Sequence, residues 1–182
     1  MSVLEQQTAI PAGIYTADPT HSSVEFSIRH MGLATIRGRA SDFAASLDAR
    51  GDTPLLEGTI ETASITTHDE QRDGHLGSPE FFDAQRHPRI SFRSTGLELD
   101  GDHGTLSGEL TVKGTSKPVQ LGVVVTGAGE DPWGNQRVGL DLDGVIDRRE
   151  FGIDWNAPLP GGGLLLDDRV RLTASFSLVR QG

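Results

Sequence analysis

No cysteine occurs in the chain. A disulfide scaffold, a thiolate metal centre and a cysteine nucleophile are therefore excluded. Positive charge is in deficit: 16 lysines and arginines stand against 26 aspartates and glutamates, a formal net charge of −10. That balance argues against nucleic acid as a partner and against docking on anionic lipid by charge alone. Aromatic residues make up only 5% of the sequence. No stretch approaches the ~20 apolar residues that span a bilayer as a helix, so the chain is not read as membrane-spanning. Residues 1–12, MSVLEQQTAIPA, lack a basic start and a long apolar run. They do not read as a secretory signal, and the expected location is the cytoplasm.

What is present is alternation. Val24, Phe26, Ile28 and His30 alternate with Glu25, Ser27 and Arg29, and Leu106, Gly108, Leu110 and Val112 alternate with Ser107, Glu109, Thr111 and Lys113. The pattern returns at Val119–Val125, Val138–Ile146 and Val170–Leu178. A period of two marks strands with one buried and one wet face. Turns such as Asp100-Gly101-Asp102, Gly114-Thr115 and Asp131–Asn135 separate them, which points to a sandwich or barrel. The alternation slips near Ser41-Asp42 and again between Ile60 and Ala63, and each slip reads as a β-bulge. Helix is expected only within residues 67–83. Residues 1–11 read as a flexible tail and 12–182 as one domain, a length that supports a sizeable core.

Gly38, Gly58, Gly108 and Gly144 fall on the inward face. One reading is strand coiling; the other, favoured by four together, is unfilled space and a ligand cavity. On that reading the lumen is open at Leu110 and Val123, and Val123→Trp should find free space.

Candidate chemistry is sparse. His21, His30, His75 and His87 lack metal-ligand spacing, and no metal is expected. His30 faces inward and His75 lies in the helical segment; each reads as a hydrogen-bonded buried histidine or as a head-group contact. Arg72-Asp73 reads as a helix cap with an arginine paired to a carboxylate elsewhere, or as an arginine fork for phosphate. No serine sits in a Gly-x-Ser-x-Gly elbow, and Gly161-Gly162-Gly163 carries no phosphate-loop lysine. Asp141, Asp143, Asp167 and Asp168 read as solvated. Phe81-Phe82 reads as a lid or plug, and residues 152–158 as a mobile mouth loop.

Ser64-Ile65-x-Thr67, Arg72-Asp73-x-His75-Leu76, Ser78-x-x-Phe81-Phe82-Asp83 and Pro88-x-Ile90-x-Phe92 follow in order along the chain. So do Tyr15-x-x-Asp18-Pro19-x-His21-Ser22, Gly108-x-Leu110-Thr111-Val112-x-Gly114-Thr115 and Arg149-x-Phe151-Gly152-Ile153. Jointly, over about residues 13–180, these resemble the YceI-like family. The resemblance implies an all-β fold: a single antiparallel, eight-stranded, lipocalin-like barrel with one short helical insertion. It also implies non-catalytic binding of a long apolar molecule, namely a polyisoprenoid, a quinone tail or a fatty-acid-derived lipid, with no catalytic cofactor. Many members of that family are exported, so the cytoplasmic expectation departs from them.

Ligand contacts are expected from Phe26, Ile28, His30, Ile36, Phe43, Ile60, Arg72, His75, Leu76, Phe81, Phe82, Phe92, Leu110, Val123, Leu140, Phe151, Trp155 and Phe176. Head-group selectivity would fall to His30, Arg72 or His75. Two rival readings stay open: an enzyme acting on a lipid-like substrate with His75 or His30 as general base, and a packed structural or stress-related barrel without ligand. A homodimer is also left open.

Overall fold

The alternation becomes an 11-stranded antiparallel sheet in the computed structural model, which describes residues 10–182. In chain order the strands are β1 Ile14–Ala17, β2 Ser23–His30, β3 Ala34–Ala40, β4 Phe43–Asp48, β5 Leu55–Glu61, β6 Ile65–Thr66, β7 Arg89–Asp100, β8 His103–Val112, β9 Thr115–Glu130, β10 Gln136–Asp147 and β11 Leu166–Arg180. Among the described residues one α-helix, α1 Glu70–Leu76, follows β6.

The first six segments are three long strands, each broken once. On one flank of β11, β2 pairs along its first part (Leu172↔Phe26) and β1 along its last (Leu178↔Ala17). β2 and β1 pair in turn with β3 and β4, and these pair with β6 and β5. Counting each broken strand once, the ring is a closed barrel of 8 strands. The three breaks are bonded to their neighbours. Ser41 Oγ donates to the Ser64 carbonyl at 2.9 Å, and the Asp42 amide donates to Ser64 Oγ at 3.0 Å. Ser22 Oγ accepts the Ser177 amide at 3.0 Å.

The expected bulges at Ser41-Asp42 and Ile60–Ala63 are therefore full strand breaks. The second holds a single 3-10 turn, Thr62–Ser64. The one-residue register shifts lie elsewhere, between Ser94 and Gly96 in β7 and between Gly139 and Leu140 in β10. The expected flexible tail falls mostly outside the described residues. Its last two members are ordered by packing: Ile10 lies against the core, and the Pro11 carbonyl accepts the Tyr15 hydroxyl at 2.8 Å.

Apolar packing is divided between two clusters. At the end carrying the β4–β5, β7–β8 and β9–β10 turns, Tyr15, Leu47, Val123, Val125, Val138, Leu140 and Leu178 form a filled core. At the opposite end, Ile90, Leu110 and Val112 of the barrel pack against Phe81, Phe151 and Ile153, which residues 67–88 and 148–165 contribute from above. Those two segments cover that mouth as a lid.

Three of the four inward glycines do not leave empty space. A Cβ on Gly38 would lie 2.3 Å from the Phe26 ring, one on Gly108 2.4 Å from the Phe92 ring, and one on Gly144 2.4 Å from Leu121. Gly38 and Gly108 are each covered by an aromatic ring, the device by which aromatic side chains rescue glycine in a sheet, and Gly144 by an aliphatic side chain. Only Gly58 has ordinary clearance, its nearest neighbour being 3.5 Å away.

The break between β1 and β2 is also an electrostatic tie. The Asp18 carboxylate accepts from Thr20 Oγ1 at 2.7 Å and His21 Nδ1 at 2.8 Å, and pairs with Arg137 Nη1 at 3.1 Å. Arg137 Nε meets Asp131 at 2.8 Å, joining the break to the β9–β10 turn. The hydrogen bonds from Thr20, His21 and Arg137 hold the Asp18 carboxyl well below the usual carboxylate range.

Gly108→Ala should destabilise more than Gly38→Ala in denaturant titration. At Gly108 the new methyl also meets the Arg93 carbonyl oxygen at 2.7 Å, backbone that cannot yield, so a loss of about 1–3 kcal/mol is expected. At Gly38 the obstacle is a ring. For Asp18, a native pKa below the unfolded value means its stabilisation is complete above about pH 4 and is lost as pH falls through the depressed native value. Melting temperatures of wild type and Asp18→Asn should therefore differ at pH 6 and converge in strong acid; a gap that persists or widens in acid would refute the assignment.

Candidate binding cavity

Between the filled core and the lid lies a cavity of about 570 Å³. Its floor is Ala45, Leu56, Leu121, Leu142 and Phe176, which also belong to the filled core. Its wall is the inward face of β2 and β3, with Val24, Phe26, Ile28 and Ile36, and opposite them Ile60, Ile90, Phe92 and Leu110. Its roof is Leu76, Phe81 and Phe82 from the α1 segment together with Phe151, Ile153 and Trp155.

Of the residues expected to contact a ligand, Phe26, Ile28, His30, Ile36, Phe43, Ile60, Arg72, His75, Leu76, Phe81, Phe82, Phe92, Leu110, Phe151, Trp155 and Phe176 all stand on this cavity. Val123 and Leu140 do not. Each faces inward but lies one step below the floor residues Leu121 and Leu142, inside the filled core, where both are 3% exposed. Parity fixes which face a strand residue takes; how deep it sits depends on register, which a single strand does not reveal. The expected free space at Val123 is thus absent.

Aromatic contacts close the roof. The Phe82 ring meets Phe26 edge-on at 6.4 Å, and the His75 ring stands edge-on to Phe81 and to Trp155, each at 4.8 Å. His75 Nε2 bonds Glu80 at 2.5 Å. Lys113, at the β8–β9 turn, donates from Nζ to the Pro79 carbonyl at 2.6 Å and reaches the Gly152 carbonyl at 3.4 Å, so one ammonium joins both halves of the lid.

The Arg72-Asp73 pair works differently from the sequence expectation. The helix cap is Asp69, whose carboxylate accepts the Arg72 amide at 2.9 Å. Asp73 instead accepts from Thr66 Oγ1 at 2.8 Å, the Thr67 amide at 2.8 Å and Thr67 Oγ1 at 2.6 Å, fastening α1 to β6. Burial raises the Asp73 carboxyl, but the Thr67 and Thr66 bonds and the Arg72 charge outweigh it, and the group is held below its ordinary value. Arg72 makes no ion pair among the described residues. Its guanidinium donates to Thr67 Oγ1 at 2.7 Å and the Thr67 carbonyl at 2.9 Å.

Sequence reasoning left several lining residues out of the expected contacts, Ile90 and Ile153 among them, and Arg148 is the buried charged one. It is 4% exposed. Its guanidinium donates to the Asp167, Ile153 and Trp155 carbonyls at 2.8–2.9 Å. Nη2 lies 3.6 Å from Asp168 and has no hydrogen-bond partner among the described residues. Burial pushes its pKa down, against the opposing pull of Asp168 and Asp147. The signal was present: Val138, Leu140, Leu142, Gly144 and Ile146 point inward, and two more residues lead to Arg148 rather than Arg149. Arg149 lies outside, paired with Asp147 at 2.7 Å. Asp168 is likewise more than a solvated carboxylate, and Asp143 pairs across strands with Arg171 at 2.6 Å.

The profile of the YceI-like domain matches residues 15–178. The chain belongs to the YceI-like family. A UPF0312 protein of Pectobacterium atrosepticum is 38% identical over 136 residues, 73% of this chain and 71% of the relative. Protein YceI of Escherichia coli O157:H7 is 35% identical over the same shares. Among solved structures, Burkholderia cenocepacia BcnA superposes with a TM-score of 0.76 at 22% identity, covering 91% of this chain and 99% of that one. A polyisoprenoid-binding domain from Saccharophagus degradans, implicated in plant cell wall breakdown, superposes with a TM-score of 0.68 at 13% identity, covering 92% and 98%. These two likenesses establish the shared barrel.

Asp73→Ala should remove the fastening of the lid helix to β6. Losing these charge-assisted bonds is expected to lower stability by about 1–3 kcal/mol, read as a lower melting temperature. The cavity wall should stay intact, so the apolar capacity of the folded protein should not change.

Proposed function

We propose that this YceI-like barrel is a non-catalytic binder of a long-chain apolar molecule, held in the lumen with its tail on the floor and its polar end beneath the lid. The observation that carries this reading is the cavity itself: about 570 Å³ inside the barrel, walled by aliphatic and phenyl side chains. Small-molecule pockets are typically ~300–1,000 Å³ and mostly apolar, with few polar groups. Glu25 borders the cavity but is exposed on its strand's outward parity. The remaining charged or imidazole groups on the wall, His30, Arg72, His75 and Arg148, all belong to the lid end, because β2 ends there and α1 and the 148–151 turn lie there. A molecule apolar along its length and polar at one end matches that distribution.

Hydrophobic transfer supplies ~0.8 kcal/mol per buried methylene before ordering costs, so chain length alone supports affinity. The ligand class we favour is isoprenoid: a polyprenyl phosphate or a prenylated quinone, with a fatty-acid-derived lipid as the alternative. The family resemblance supports it, as does the polyisoprenoid binding of the Saccharophagus degradans domain with the same fold. The cavity's size and apolar wall weigh against a packed structural barrel.

The test is denaturing extraction of the purified protein followed by mass spectrometry, on wild type and two tryptophan variants. Wild type should release a long-chain apolar compound in near-stoichiometric amount. Ile28→Trp, on the cavity wall, should fold with near-native stability and release much less. Val123→Trp should be destabilised by about 1–3 kcal/mol, as overpacking of a filled core is. A folded Ile28→Trp protein that carries full ligand would sink the lumen as the site.

A further inference from the structure

One corner of the lid end carries an apolar surface that the cavity does not use. Met31 and Leu33, in the β2–β3 turn, are 44% and 77% exposed, and Leu164, in the loop before β11, is 56% exposed. Single exposed apolar side chains are ordinary, and Trp133 at the opposite end is one. These three differ because their segments are joined: the Met31 amide donates to the Leu165 carbonyl at 2.7 Å.

The composition of both segments is unusual for turns. The other hairpin turns carry Asp100-Gly101-Asp102, Lys113-Gly114 and Asp131–Asn135, the polar residues turns favour. Here the tip is Met31-Gly32-Leu33, and no charged residue occurs from Trp155 through Leu166. Met31 holds φ 56° in this tip, a left-handed conformation in which Gly, Asn or Asp is preferred. The same turn geometry at Lys113, φ 51°, presents a cation. At the apolar tip the nearby cation, Arg29, is turned back onto the Gly32 carbonyl at 2.8 Å and Thr35 Oγ1 at 3.1 Å, which stiffens the tip.

The corner is also continuous with the cavity. His30 and Ala34, which flank the tip, and Leu165 and Leu166, which follow Leu164, stand on the cavity wall. A long apolar chain partitions into bilayers, and a path to the lumen from a bilayer would avoid crossing water.

We propose that Met31, Leu33 and Leu164 form a docking corner that inserts into an uncharged lipid bilayer, and that cargo enters and leaves the lumen beside it. The transfer half rests on the binding reading above; the docking half does not. The chain's charge of −10 opposes anionic surfaces, so apolar insertion into a zwitterionic one is the mode that the corner supports.

The test uses the full chain, phosphatidylcholine vesicles and a prenyl-tailed quinone as cargo probe, with wild type and the double variant Leu33→Glu/Leu164→Glu. Both positions are exposed and off the cavity wall, so melting curves should coincide. Wild type should co-sediment with cargo-free vesicles and the variant should not. The rate of quinone transfer from donor vesicles should rise with vesicle concentration for wild type and fall at least tenfold in the variant, with the amount bound at equilibrium unchanged. Equal co-sedimentation of the two proteins, or equal transfer rates, would overturn the docking corner. So would a wild-type dimer in sedimentation velocity that the variant dissolves without loss of vesicle binding, since the corner would then seat a second copy. If neither protein takes up quinone, the lumen reading fails instead, and cargo-free co-sedimentation still decides the docking.

Discussion

The barrel depends on how β11 spends its free flank. One edge pairs with β10 in unbroken register from Arg137↔Val179 to Asp147↔Arg169. The other pairs first with β2 and then with β1. A straight partner would have continued one ladder; the break at residues 18–22 divides it, and matching breaks in the next two strands follow. The division has a packing consequence. β1, β4 and β5 give Tyr15, Leu47 and Leu56 to the filled core, whereas β2, β3 and β6 give it no fully buried residue and instead wall the cavity. The three breaks thus coincide with the boundary between the packed and open halves of one barrel.

What could be read from the sequence was what depends on parity. The inward sets on β2, β8, β10 and β11 emerged as expected because a strand's side chains alternate whatever its neighbours do. Depth and partner choice were not legible, because both depend on register between strands distant in sequence. That is why Val123 and Leu140 were assigned to a lumen they lie beneath. It is also why the inward glycines were read together as empty space: only the pairing of Gly38 with Phe26 and of Gly144's strand with Leu121's shows that these two are filled, whereas Gly58 does border the cavity. Arg148 was overlooked for a different reason. Two adjacent arginines invite a surface reading, and the alternation that continues past Ile146 was not followed into the turn.

Beside its apolar packing, the lid is tied down by polar contacts, most of them to backbone. Asp73 accepts from Thr66 and Thr67, Lys113 donates to Pro79 and Gly152, and Arg148 donates to three carbonyls. Irregular backbone leaves amides and carbonyls without ladder partners, and buried ones need substitutes. Charged side chains supply them here, which also explains why charge gathers at this end of an otherwise apolar lumen. The groups best placed to meet a ligand's polar end are therefore the same ones that stabilise the loops above it.

That double role separates affinity from selectivity. The wall of Phe26, Ile28, Ile36, Ile60 and Phe92 offers only non-directional transfer energy, which grows with chain length and discriminates little between one apolar tail and another. On the binding reading proposed above, the filled core at the floor would limit how much tail enters. On that same reading, discrimination among head groups would arise where donors are fixed in place, beneath the lid, and Arg72 and Arg148 are fixed by bonds to Thr67 and to the 153–167 backbone. Donors already held by backbone need little reorganisation when an oxygen-bearing head group arrives, so the lid's own stability sets the sharpness of recognition.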